Sequence, residues 1–112
     1  GNNDFADCEL AWTSFNKTVR KYFKSWVGAN AKERNEIDRI HPTQKPITLY
    51  DWIFNQYATE GMKILDTHLG SGSSRISANK AKLNFVGFEV DEDHFNNQNK
   101  RYADFISQTR LF

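Results

Sequence analysis

The chain has 112 residues, enough for one small domain, and its 38% hydrophobic content with nine Phe, four Tyr and three Trp supplies a modest core. Its formal net charge is only +1, so any affinity for nucleic acid has to come from local clustering of basic residues. A single cysteine, Cys8, excludes an internal disulfide and a CxxC zinc site, no apolar run reaches the length of a membrane helix, and a cytoplasmic setting is expected.

Phe5 to Phe15 reads as a strand, because Cys8, Leu10 and Trp12 alternate with polar or small residues. Val19 to Val27 is a second β-prone run, and Asn16-Lys17 between the two predicts a hairpin turn. Residues 28–40 are polar and charged and read as a loop. Pro42 and Pro46 keep the segment His41-Pro42-Thr43-Gln44-Lys45-Pro46 extended. Thr48 and Asp51 then stand at capping-box spacing, opening a helix that runs to residue 59 or 60. Tyr50, Ile53, Phe54 and Tyr57 share one face of it, and Gly61 is a natural stop. Lys63–Asp66 predicts a short buried strand, Ser73–Lys82 a crossover helix and Leu83–Val90 a second strand. Asp91 caps a final helix with the apolar stripe Phe95, Tyr102, Phe105 and Ile106. The order β–β–loop–α–β–α–β–α defines an α/β chain. Its strand–helix–strand core crosses over right-handedly, with the ligand edge at the strand C-termini.

That edge carries the most informative stretch, Ile64-Leu65-Asp66-Thr67-His68-Leu69-Gly70-Ser71-Gly72-Ser73-Ser74. It is an apolar strand, an acid, a glycine-serine loop and a helix start. Gly70 and Gly72 let backbone approach a ligand closely, and the N–H groups opening the helix favour electron-rich ligand groups. The dinucleotide motif wants a third glycine where Arg75 stands, so the loop by itself is a weak signal and is equally an ordinary βα turn. Glu89 follows at roughly the 20-residue spacing where a second-strand carboxylate meets ribose hydroxyls. A strand-end carboxylate simply facing solvent is the competing reading. His41, His68 and His94 have no metal-ligand spacing.

Three segments in series, His41–Pro46, Asp66–Ser74 and Gly87-Phe88-Glu89-Val90-Asp91, resemble the β-group amino-methyltransferases of DNA, which use S-adenosylmethionine (SAM) to methylate adenine N6 or cytosine N4. The first matches the family's HPTQKP-like segment throughout. The second matches its D-P-F-x-G-S-G-T-T-like loop at Asp66, Gly70, Ser71 and Gly72, and departs at Thr67, His68, Ser73 and Ser74. The third matches the G-x-E-x-D-like strand end at Gly87, Glu89 and Asp91. The resemblance covers residues 41–102 well and 5–26 more loosely, and is nearest to phage-type adenine enzymes. It implies a partial Rossmann-like SAM-dependent methyltransferase fold, a βαβ core plus a β-hairpin with an incomplete sheet.

The resemblance also implies roles. Glu89 would hold the SAM ribose and Asp66 the amino end of its methionine moiety. Thr43 and Lys45 would touch that end from the HPTQKP side. Gly70, Gly72, Ser73 and His68 would line the loop, with the His68 ring replacing the family's Phe. Lys17, Arg20, Lys21 and Lys24, interleaved with Tyr22, Phe23 and Trp26, suit phosphate contact and base stacking on DNA, although a solvated basic strand edge has the same composition. Residues 16–40 would be a shortened DNA-recognition region. The family's D-P-P-Y-like tetrapeptide, which holds the flipped base, does not occur here. In the family it precedes these segments. The expectation is therefore a C-terminal, SAM-binding part of a methyltransferase, without catalytic residues of its own. Its unpaired sheet edge would be covered by a second copy or by the catalytic part. The competing expectation is a non-catalytic nucleic-acid- or nucleotide-binding module, or one subunit of a split enzyme.

Overall fold

The computed structural model describes residues 9–23 and 44–110. Within them the chain forms α1 (Ile47–Tyr57), β1 (Lys63–Asp66), α2 (Ser73–Lys80), β2 (Asn84–Gly87) and α3 (Glu92–Arg110). The two strands pair in parallel, from Lys63 opposite Asn84 to Asp66 opposite Gly87. A parallel pair needs a crossover connection, and α2 supplies it. The expected α/β architecture with a βαβ core and a small sheet is therefore present. Ile64, Asp66, Phe85 and Gly87 form the half-buried face of the sheet, while Lys63, Leu65, Asn84 and Val86 face outward and are exposed.

The crossover helix is buried although it is mostly polar. Ser73, Ser74, Ile76, Ser77 and Ala78 are all buried. Buried hydroxyls are tolerable only with partners, and α2 finds them on its neighbours. Ser74 donates to Asp66 Oδ2 at 2.5 Å, and Ser77 donates to Asp51 Oδ1 at 2.6 Å. Asp51 also takes Lys80 Nζ at 2.8 Å. Asp51 is thus a bridge from α1 to α2, and the capping box expected of Thr48 and Asp51 does not form. The helix starts two residues earlier, at Ile47 behind Pro46, and Thr48 Oγ1 meets the Tyr22 hydroxyl at 2.7 Å. Two tertiary donors outcompete a local cap.

The second helix ends at Lys80, two residues before the expected Lys82, in a Schellman arrangement. Leu83 N–H bonds Ala78 O at 2.9 Å, Lys82 N–H bonds Asn79 O at 3.1 Å, and Lys82 takes φ +59°, where glycine is usual. Lys82→Gly is expected to stabilise the fold by about 0.5–1 kcal/mol, because relief of left-handed strain outweighs the added backbone entropy. A urea melt measures it, and an unchanged or lowered midpoint would refute the strain.

The expected hairpin over residues 5–27 is not formed in its described part, since residues 9–23 contain no strand. Residues 5–8 and 24–27 lie outside the described residues. A two-stranded ribbon is marginal without a face to pack on, and Leu10, Trp12, Val19 and Phe23 are all exposed. The segment leans on α1 instead, with Phe15 against Tyr57 and Tyr22 against Trp52. The second strand is also shorter than Leu83–Val90. It ends at Gly87, and Phe88 beyond it joins the end of β1 to the glycine loop: Phe88 N–H reaches Asp66 O and Leu69 N–H reaches Phe88 O, each at 2.9 Å.

Candidate SAM site

Both strands deliver an acid to the same edge. Asp66 is the last residue of β1, and Glu89 lies two residues beyond the end of β2. Between them runs the loop 67–72, with Gly70 at φ +57° and Gly72 at φ +82°. Left-handed backbone of this kind favours glycine. Gly72 is also pressed from outside, since a Cβ there would lie 3.1 Å from Gln98 Cβ.

Each acid has a distinct set of donors. Asp66 Oδ1 accepts His68 N–H at 3.0 Å, and its Oδ2 accepts the Ser74 hydroxyl. Glu89 Oε1 accepts Gly70 N–H at 2.8 Å, and its Oε2 accepts Asp91 N–H at 3.0 Å. The second acid therefore ties the glycine loop to the start of α3. That helix begins as expected, with Asp91 Oδ1 accepting His94 N–H at 2.9 Å.

Tyr50 of α1 lies near this edge. Its hydroxyl pKa is raised above the ordinary value, first by burial and then by the negative charge of Asp66. The folded chain thus holds the Tyr50 proton more tightly than the unfolded chain does. Its contribution to stability is complete below about pH 10 and is lost as pH rises further. Tyr50→Phe is expected to flatten this alkaline loss in urea melts. An identical pH profile in the variant would rule Tyr50 out as its cause.

The other expected site residues are placed as follows. The ring of His68 is exposed, with Nδ1 2.9 Å from Thr67 Oγ1. Ser73 is buried with its hydroxyl 3.0 Å from Arg101 Nη1. Lys45 pairs with Glu9 at 2.8 Å on the surface, which holds the Glu9 carboxyl below its usual range. Thr43 and Lys24 lie outside the described residues. Lys17 donates to Gln56 O at 2.6 Å, at the C-terminal end of α1 where a cation is favoured, and sits over the Tyr57 ring. Arg20 and Lys21 are exposed. Among the described residues no group of His, Cys, Asp and Glu could hold a metal ion. No helix among them is long and apolar enough to cross a membrane.

Arg75, Gln98 and Arg101 belong to the site's support, and motif reading missed them. Arg75 stacks on the Tyr102 ring at 3.6 Å and donates to Gln98 Oε1 and Asn99 Oδ1. It points to α3, which is why a large side chain is accepted where the dinucleotide motif has glycine. Gln98 is only 1% exposed. Its signal in the sequence was a polar residue inside the Phe95–Tyr102 stripe, three residues after the first and four before the second.

An α/β edge with two acids around a left-handed glycine loop is the arrangement typical of nucleotide-type cofactor sites. A family model described as DNA methylase (N6/N4 methyltransferases) matches residues 6–100, and the chain belongs to this family. It is 32% identical over 76 residues to the type II methyltransferase M2.DpnII of Streptococcus pneumoniae, covering 68% of this chain and 28% of that protein. It is 29% identical, over the same shares, to the type II methyltransferase M2.LlaDCHI of Lactococcus lactis subsp. cremoris. The crystal structure of an M1.HpyAVI–SAM complex matches 79% of this chain and 43% of that one, with TM-score 0.58 and 28% identity. The chain thus spans under a third of the length of these curated relatives.

Proposed function

We propose that this chain is the SAM-binding portion of a methyltransferase acting on an exocyclic amine of a DNA base, with adenine N6 favoured over cytosine N4. The observation that carries the cofactor reading is Glu89 bonded to Gly70 N–H across the edge from Asp66. A carboxylate offers about four acceptor positions, so accepting backbone N–H groups and accepting ribose hydroxyls are compatible roles. Asp66, at the other end of the loop, would take the ammonium of the methionine moiety. When bound, SAM supplies an electrophilic methyl group. The chain's own part is to bind and orient it. The preference for adenine rests on the resemblance of the segments alone.

DNA is the proposed partner, through exposed Arg20 and Lys21 with Lys24 beside them in sequence. A second reading, one subunit of a split enzyme, is favoured by the outward sheet face, where Leu65 and Val86 pair side by side at 63% and 56% exposure. A further part of the fold, or a second copy, would cover it. Equilibrium dialysis with labelled SAM tests the cofactor reading that both share. Saturable binding displaced by S-adenosylhomocysteine supports a methyltransferase site. Equal displacement by ATP would replace it with a generic nucleotide site.

A further inference from the structure

We infer that Arg101 is the positioning residue that sets the shape of the glycine loop, acting from α3. What the loop holds rests on the SAM reading above, whereas the bracing itself rests on geometry. Arg101 Nη1 donates to Ser71 O at 2.9 Å and to Ser73 Oγ at 3.0 Å. These acceptors flank Gly72, the residue at φ +82°. The peptide linking Ser71 to Gly72 is therefore held at both ends. Its carbonyl is taken by the guanidinium, and its N–H is taken by Leu69 O at 3.0 Å. A peptide plane held in this way cannot flip, so the amides on either side of it keep their directions.

Two further contacts from α3, and one between the loop's own serines, complete the clamp. Gln98 lies directly against Gly72. Ser73 Oγ, already held by Arg101, is 3.3 Å from Ser71 Oγ. The start of the same helix is tied to Gly70 through Asp91 and Glu89. Bonds from a guanidinium are roughly twice as strong as neutral ones, and Ser71 and Ser73 are buried, so water replaces the lost donor poorly. Without Arg101 the loop samples several shapes and the ligand must select one, which lowers affinity.

The test uses the full chain with Arg101→Ala, Arg101→Lys and Ser73→Ala. Two quantities are read: SAM affinity by titration, and hydrogen exchange at the amides of residues 70–73 without ligand. Arg101→Ala is expected to weaken SAM about tenfold or more and to speed exchange at residues 70–73, with circular dichroism unchanged. Arg101→Lys recovers part of both, because an ammonium can still reach Ser71 O. Ser73→Ala gives a smaller loss in the same direction. Wild-type affinity and wild-type exchange in Arg101→Ala would overturn the inference. If that variant does not fold, the other two decide, and wild-type values in both overturn it. If the wild-type chain does not bind SAM, the cofactor reading fails separately. The exchange data then decide the bracing, with unchanged protection in the variants ruling it out.

Discussion

Glu89→Ala is expected to weaken SAM binding by about a hundredfold or more and also to lower stability by about 1–3 kcal/mol. In the proposed role of Glu89, two hydrogen bonds from ribose hydroxyls to a charged acceptor would account for the affinity, at about 1.5–3 kcal/mol each before losses elsewhere. The stability loss has a different origin. Glu89 accepts Gly70 N–H at 2.8 Å and Asp91 N–H at 3.0 Å, and both donors lose their acceptor in the variant. Sequence alone suggests a variant with an intact fold and no binding, but the structure couples the two. Glu89→Gln separates them, because the amide keeps one acceptor oxygen while losing the charge. Calorimetric titration and urea melts on the same samples measure both effects. An alanine variant that binds SAM like the wild type would remove Glu89 from the site.

Gly72→Val is expected to cost about 2–5 kcal/mol of folding stability. Left-handed backbone costs a non-glycine residue about 1–2 kcal/mol. Steric overlap adds to this, since the new Cβ would sit 3.1 Å from Gln98 Cβ and 3.3 Å from Gln98 Oε1. Gln98 is itself buried and hydrogen-bonded to Phe95 O and Arg75, so it has little room to yield. Gly61 provides the control: its φ is +91°, but nothing lies within 4 Å of a Cβ there. Gly61→Ala isolates the backbone strain, and Gly72→Ala adds the contact with Gln98. Equal losses in those two alanine variants would show that Gln98 makes no contribution, and the valine effect would have to be reassigned to strain alone. A loss of several kcal/mol is a large share of the total for a domain of this size.

The parts of the fold that could be read from the sequence are those built from local signals. The first strand has the predicted limits, Lys63–Asp66, because a short apolar run bounded by Gly61 and the glycine loop has few alternatives. Asp91 caps its helix as expected, since the acceptor and its target are three residues apart. Glu89 reaches the glycine loop because strand, turn and crossover lengths fix its distance from Gly70. What could not be read depends on long-range partners. Thr48 and Asp51 look like a cap in sequence, but Tyr22 and Ser77 claim them from 26 residues away in each case. The alternation of Leu10 and Trp12 has a strand's period but no sheet face to cover. Arg101 and Ser71 are 30 residues apart, and their contact exists only once α3 packs beside α2. The family's motifs carry the strand ends and the loop, while the support of the loop is a tertiary feature.

The most direct test of the SAM site is a titration of the isotope-labelled chain with SAM, carried to millimolar ligand and followed by amide chemical shifts. Saturable shifts are expected, concentrated at residues 66–74 and 89–91, with smaller ones at the α3 residues that brace the loop. No saturable change at these amides, or changes confined to other parts of the chain, would contradict the proposed site.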